Sequence, residues 1–137
     1  MNWQYKLLLT GVCAILLIDT LGSIASRLLD FNYVYLTPAS FLVYATIGFI
    51  GTRKLSLIKG LLLVAIVGLF ESVIGWQISI LLHANTGKFS NEQPTLLLWI
   101  LTVILSAITA TLMGLIGCGI AKITKKKTAP LSDKQFN

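Results

Sequence analysis

Charge is scarce in this sequence. Charged residues make up 12% of its 137 positions, about half of the roughly 25% that a typical soluble domain carries. Only five residues are acidic, against eleven Lys and Arg. Hydrophobic residues reach 55%, and the mean hydropathy is +0.84. A chain with so few charges cannot cover an apolar core with a polar surface, so an ordinary soluble domain is excluded.

The residue patterns of enzymes and metal proteins are also missing. The sequence has no HExxH, no GxSxG, no glycine loop followed by lysine, and no cysteine pair with metal-ligand spacing. Its single histidine, His83, has no neighbouring cysteine or second histidine that would complete a metal site. Cys13 and Cys118 are expected to be small buried apolar residues. We therefore predict a protein that is not an enzyme and that needs no metal or cofactor.

The sequence has instead four long apolar blocks, at residues 7–29, 33–52, 58–82 and 96–121. A helix needs about 20 apolar residues to cross a hydrocarbon layer of ~30 Å, and each block is long enough. None of the blocks alternates apolar and polar residues as a barrel strand does. They predict an all-α membrane protein, a four-transmembrane-helix bundle with short connections.

Basic residues divide unevenly between the two sides of this predicted bundle. Nine of them flank or join the blocks on one side: Lys6, Arg53, Lys54, Lys59, Lys122, Lys125, Lys126, Lys127 and Lys134. Only Arg27 and Lys88 fall on the other side. The positive-inside rule therefore predicts a multi-pass protein of the cell membrane with both termini in the cytoplasm. We expect Lys125, Lys126 and Lys127 to face anionic lipid of the bilayer, not nucleic acid.

The blocks divide the chain into a transmembrane domain at residues 1–121 and a basic tail at residues 122–137, which is expected to be disordered. The start of the second helix has two alternatives. Thr37 caps a helix that has Pro38 at its first position, or Pro38 kinks a helix that began near Tyr33.

The start of the chain also resembles a secretory signal peptide, with a possible cleavage site after Ala25. The apolar run continues past that point through Leu28 and Leu29. We therefore expect a membrane span here, and cleavage is the weaker alternative.

Two carboxylates lie inside the blocks, Asp19 in the first and Glu71 in the third. Asp19 is thirteen residues past Lys6, and Glu71 is twelve residues past Lys59. With a rise of 1.5 Å per residue, both lie about 18–20 Å from these lysines, and therefore at nearly the same depth. A charge at such a depth costs at least ~2.5–3.5 kcal/mol, so such groups normally face the bundle interior or a watery cavity.

Hydroxyl residues at a similar depth complete a predicted proton- or cation-binding site. They are Ser40, Ser72, Ser106 and Thr109. Two acids in a low-dielectric interior cannot both ionise comfortably, so a pair such as Asp19 and Glu71 can exchange a proton or hold a cation. Arg27 offers an alternative, because it shares the face of Asp19 and could form a structural ion pair with it. The hydroxyls could also serve only to hold the helices together.

These observations lead to two main hypotheses of function. The first is a small membrane protein that moves or senses a proton, a small cation or a cationic solute. Because four helices enclose little room, transport would require a homodimer or a larger oligomer. The alternative is a structural or regulatory subunit that packs against a larger membrane complex through its small residues. An enzyme acting on lipid or peptide bonds is a weak third hypothesis.

Overall fold

The computed structural model describes residues 2–87 and 95–127, with side chains up to residue 125. In this described part 89% of the residues are helical, and it contains no strand. Four helices are long and apolar enough to cross a membrane: Trp3–Leu28, Tyr33–Lys54, Leu57–Leu81 and Leu96–Lys125. The all-helical class is therefore confirmed for the described residues, and so are four helices with the length and composition that a membrane span needs.

The first two spans are joined by a short turn, as predicted. Helix α1 covers Trp3–Leu28, and a 3₁₀ helix at Tyr33–Leu36 leads directly into α2 at Thr37–Lys54. Pro38 occupies the first turn of α2, where its missing N–H has no helical partner to lose. The helical span thus begins at Tyr33, as in the second alternative, but as a 3₁₀ helix, and the α-helical part begins at Thr37 with Pro38 in its first turn, as in the first. Thr37 is not the cap, however, because its hydroxyl donates to the Val34 carbonyl oxygen at 2.7 Å.

The third span is continuous but not uniform. Helix α3 covers Leu57–Phe70, a π-helical segment follows at Glu71–Gly75, and α4 completes the span at Trp76–Leu81. The side chain of Ser56 caps its first turn by accepting from the Lys59 N–H at 3.3 Å. The sequence analysis did not anticipate the π-helical segment. Such single-turn segments are rare and are found frequently at functional sites.

The fourth span, α5, covers Leu96–Lys127. It continues beyond the predicted end of the fourth block, so the first part of the basic tail is helical where disorder was expected. Lysine is a good helix former, and no glycine or proline interrupts the helix between Ala121 and Lys127. The rest of the predicted tail, with Lys134, and most of the predicted loop around Lys88 lie outside the described residues.

The spans pack in an order that places α1 and α5 apart. Helix α1 packs against the 3₁₀ helix, α2, α3, the π-helical segment and α4, whereas α5 packs mainly along α2 and also contacts α3 and the π-helical segment. In the described part of the chain, α1 and α5 do not contact each other. Ile15, Tyr44, Val64, Val67 and Ala110 belong to the buried core between the helices.

Glycines let α5 approach α2 closely. A Cβ atom at Gly117 would collide with a backbone carbonyl oxygen of α2, and one at Gly48 would collide with the Gly114 carbonyl oxygen. Small residues are what allows membrane helices to pack backbone against backbone. Cys118 is buried at this contact, as expected, and its thiol donates to the Gly48 carbonyl oxygen at 3.3 Å. Cys13 is exposed, so the expectation of burial is wrong for it.

Candidate functional site

Asp19 is the most deeply buried ionisable residue of α1, with only 2% of its surface exposed. One carboxylate oxygen, Oδ1, accepts a hydrogen bond of 2.6 Å from the Tyr33 hydroxyl. The other, Oδ2, is buried and has no hydrogen-bond partner among the described residues. A buried polar atom without a partner normally costs about 1–3 kcal/mol. This oxygen therefore lacks the hydrogen bond that a buried carboxylate oxygen normally has.

Tyr33 reaches Asp19 because the chain folds back after α1. The Asn32 side chain accepts from the Val34 N–H at 3.0 Å and starts the 3₁₀ helix that carries Tyr33. The Tyr33 N–H in turn donates to the Asn85 carbonyl oxygen at 2.8 Å, which fixes this helix to the end of the third span. The Tyr33 ring lies against Gly22, where a Cβ atom would be 3.2 Å from the ring.

Glu71 begins the π-helical segment and lies half-buried between the helices. Its Oε1 atom accepts a hydrogen bond of 2.7 Å from the hydroxyl of Ser40 on α2. Ser40 itself is buried, with 7% of its surface exposed. The second and third spans are thus connected by a polar contact at the level where the sequence predicts one.

Gly75 is the point where the two acids meet. A Cβ atom built on Gly75 would lie 3.0 Å from the Asp19 Cγ and 3.3 Å from the Glu71 Cγ, and it would collide with the Asp19 Oδ2. The two Cγ atoms therefore cannot be farther apart than the sum of these two distances. The structure brings Asp19 and Glu71 together, as expected from their equal depth in the predicted bundle. A residue larger than glycine at position 75 would collide with the Asp19 carboxylate.

The hydroxyls predicted for this site do not all take part. The Ser72 side chain is buried, but its hydroxyl donates to the Leu69 carbonyl oxygen of the same span at 3.0 Å. The Thr109 hydroxyl likewise donates to Leu105 of its own helix at 2.9 Å. Within the described residues, neither Thr109 nor Ser106 hydrogen-bonds to either acid. Because α5 packs mainly along α2 and does not contact α1 in the described part of the chain, its hydroxyls lie away from Asp19. Helix α5 does contact the π-helical segment that contains Glu71, but there the Thr109 hydroxyl bonds within its own helix.

The alternative partner of Asp19 lies elsewhere. Arg27 is exposed near the end of α1, and no ion pair connects it with Asp19 in the described part of the chain. Lys125 is exposed at the other end of the molecule, near the end of α5. Lys126 and Lys127 continue this helix, but their side chains lie outside the described residues.

Two participants were missed by the sequence analysis. Neither Tyr33 nor Ser79 was among the residues that the sequence analysis predicted for the site. Ser79 is buried and accepts a hydrogen bond of 3.2 Å from the Ser23 hydroxyl of α1. The sequence did carry a signal for the contact of Tyr33 with Asp19. If the second α-helix starts at Thr37, the residues before it do not belong to that helix and can fold back over α1.

The described residues contain no group of three or more His, Cys, Asp or Glu side chains that could hold a metal ion. The ionisable centre of the site is the pair of Asp19 and Glu71, surrounded by hydroxyl groups. Comparisons with protein-family models, with curated proteins and with solved structures found no match for this chain.

Proposed function

We propose that this chain is a multi-pass membrane protein that binds a proton or a small cation at Asp19 and Glu71 and uses this binding in transport or sensing. The observation that carries the proposal is the buried Oδ2 atom of Asp19, which has no hydrogen-bond partner among the described residues and faces Gly75 beside Glu71. Ionisable groups inside membrane spans are rare because they are costly, and they mark ion pathways and proton relays.

The geometry favours a joint role of the two acids. Two carboxylates at this separation repel each other when both are ionised, and a bound proton or cation relieves the repulsion. Each acid also has one hydroxyl donor that fixes its orientation, Tyr33 for Asp19 and Ser40 for Glu71. The π-helical segment adds support, because it places Gly75 rather than a larger side chain against Asp19.

A flux measurement tests the proposal. The protein is reconstituted in liposomes that contain a pH-sensitive dye, and a potassium diffusion potential is imposed with valinomycin. We expect a proton flux, or a cation flux that depends on pH. Glu71→Gln should abolish this flux, because glutamine cannot titrate, although its amide oxygen can still accept the hydrogen bond from Ser40. The matched control is Asp30→Asn in the connection after α1, where the amide oxygen can still accept from the Asn85 side chain. Equal fluxes in wild type and Glu71→Gln would refute the proposal.

The same proposal includes the orientation of the chain. Nine basic residues on one side against two on the other support cytoplasmic termini. Reporter fusions after Lys59 and after Lys127 should both read cytoplasmic, and a fusion after Lys88 should read external. An external signal from the fusion after Lys127 would contradict this topology.

A second candidate function rests on the fourth span. Only 6% of the most apolar 18-residue window of this span is buried inside the protein, whereas the share is 33% in the first and third spans. Such a helix can face lipid, a second copy of the chain or a larger membrane complex, and the last case would make the protein a structural or regulatory subunit. Crosslinking in native membranes separates the candidates. A self-dimer supports transport, because four helices enclose little room for a solute. A monomer that purifies with another membrane protein supports the subunit.

A further inference from the structure

Three helices meet at one point, at the end of the bundle that carries the turn between α2 and α3. A Cβ atom at Gly51, in the last turn of α2, would lie 2.7 Å from the Cα atom of Gly60 in the first turn of α3. The same Cβ atom would lie 3.6 Å from the Leu7 Cδ2 atom, near the start of α1. The end of α2 and the beginnings of α1 and α3 are therefore in contact.

Basic residues surround this contact on all three helices. Each lies within three residues of Gly51, Gly60 or Leu7 along its own helix, and each is exposed. We call these four residues the basic junction: Lys6, Arg53, Lys54 and Lys59. Because the three helices meet here, charges that are far apart in the sequence lie at one place on the surface.

No carboxylate lies near the basic junction in the part of the chain that the structure describes. That part contains three acidic residues, Asp19, Asp30 and Glu71. Asp19 and Glu71 are thirteen and twelve residues along their helices from the basic residues that precede them, and Asp30 follows α1 at its opposite end. Twelve residues of helix span ~18 Å, whereas exposed charges are largely screened beyond ~8 Å at physiological ionic strength. The junction is therefore a positive surface that attracts an external anion.

Aromatic rings hold two side chains of the junction in place. The Lys54 Nζ atom lies 5.4 Å from the centroid of the Trp3 ring on α1. The Arg53 Cζ atom lies 5.6 Å from the centroid of the Phe49 ring, one turn earlier on α2. Both distances are within the ~6 Å range of a cation–π interaction. A long basic side chain loses conformational entropy when it binds an anion, and this loss is smaller for side chains that already rest on a ring.

An apolar strip begins beside the junction and runs toward the middle of the third span. It consists of Ile58, Leu62 and Ile66, which occupy every fourth position of α3 and are all exposed. Residues four apart lie on one face of a helix. A soluble anion would contact only the charges, whereas a phospholipid places its phosphate at the level of the junction and its acyl chains along the strip.

We propose that the basic junction binds the phosphate of an anionic phospholipid whose acyl chain lies along the apolar strip of α3. Arginine can contact phosphate oxygens with two parallel hydrogen bonds, and lysine acts as a point charge. Basic pockets between membrane helices bind acidic lipid headgroups in this way. The site is separate from Asp19 and Glu71, so this inference goes beyond the proposed function and does not depend on it.

Native mass spectrometry of the full chain in detergent tests the proposal, because it counts bound lipids one by one. The probes are phosphatidylglycerol and phosphatidylcholine with the same acyl chains. We expect one phosphatidylglycerol to bind at least about 10-fold more tightly than phosphatidylcholine. Lys54→Gln should weaken the binding of phosphatidylglycerol about 5-fold, the effect of ~1 kcal/mol per basic residue, and leave phosphatidylcholine unchanged. The control Arg27→Gln removes an exposed charge near the opposite end of α1 and should change neither affinity.

Trp3→Leu tests the geometry of the junction, because it removes the ring under Lys54 and keeps every charge. It should weaken the binding of phosphatidylglycerol about 2- to 5-fold, the range of an exposed cation–π interaction. The matched control is Tyr5→Leu, which removes another exposed aromatic ring of the first turn of α1. No basic side chain of the described residues lies over the Tyr5 ring, so this variant should bind the lipid as wild type does.

Several results would overturn the lipid site. Equal affinities for the two lipids, or equal losses in Lys54→Gln and Arg27→Gln, would show that the junction does not recognise the headgroup. Equal effects of Trp3→Leu and Tyr5→Leu would show that the charges attract lipid without a fixed site. Glycerol phosphate that displaces phosphatidylglycerol at equal concentration would identify a soluble anion as the ligand. Circular dichroism of each variant shows whether weaker binding reflects loss of fold.

Discussion

Gly75→Ala is the smallest change that perturbs the candidate site. The added Cβ atom would collide with Asp19 Oδ2 and lie 3.0 Å from its Cγ. The Asp19 side chain fills a fully packed space, with 2% of its surface exposed, so it cannot move away without displacing a neighbour. The hydrogen bond of 2.6 Å from Tyr33 would be strained by the same movement.

The expected magnitude follows from two opposing effects. Inserting one carbon into a packed interior costs typically 1–3 kcal/mol, and alanine gains about 1 kcal/mol over glycine in a helix interior. We therefore expect Gly75→Ala to lower the free energy of unfolding by up to roughly 2 kcal/mol. Gly119→Ala on α5 is the matched control, because nothing lies within 4 Å of its Cβ position. It should be neutral or stabilising.

A double-mutant cycle assigns the loss to Asp19. In an Asp19→Ala background the carboxylate is gone, and the nearest atom to the new Cβ is then Glu71 Cγ at 3.3 Å, on the same span. Gly75→Ala should then be tolerated, so the two substitutions should show a coupling of roughly 1–3 kcal/mol. Unfolding is followed by circular dichroism during titration of mixed micelles with a denaturing detergent.

Two results would refute this reasoning. Gly75→Ala and Gly119→Ala could change the stability by the same amount, which would mean that Asp19 does not lie against Gly75. Alternatively, the loss caused by Gly75→Ala could persist in the Asp19→Ala background, which would place the steric conflict elsewhere.

Two further predictions concern contacts of α2. Ser40→Ala removes the donor to Glu71 Oε1 and should cost about 1 kcal/mol of unfolding free energy, measured by the same detergent titration, whereas Thr46→Val, whose hydroxyl bonds only to its own helix, should cost less. Equal effects would show that the Ser40 bond does not stabilise the fold. Gly117→Ala should lower the free energy of unfolding by up to roughly 2 kcal/mol after the same gain in helix propensity, because its Cβ would collide with a backbone oxygen of α2 that cannot rotate away. A stability equal to that of Gly119→Ala would contradict the close contact of α2 and α5.

The spans and the depth of the acids could be predicted because they depend on chain length alone. A helix has a fixed rise per residue, so Asp19 and Glu71 fall at one level whatever surrounds them. The start of α2 was predictable in part from Pro38, because proline favours the first turn of a helix, where its missing N–H costs no hydrogen bond.

The partners of the acids could not be predicted in the same way. Every span carries a face of small residues, and the sequence does not say which of these faces pack against each other. Gly48 and Gly117 bring α5 to α2, and this choice removes Ser106 and Thr109 from the site. The sequence analysis used no pattern that predicts the π-helical segment, which contacts α1 and α5. The contact of Tyr33 with Asp19 depends on how the turn before α2 folds.

The central claim is that Asp19 and Glu71 act as one unit, and their coupled titration tests it most directly. Infrared spectra of the protein in lipid are recorded across a range of pH, and the carboxylic acid bands are assigned with Asp19→Asn and Glu71→Gln. Two acids that share a site titrate in joint steps, so each substitution should shift the titration of the acid that remains. If Asp19→Asn leaves the Glu71 titration unchanged, and Glu71→Gln leaves that of Asp19 unchanged, the two acids do not share a site.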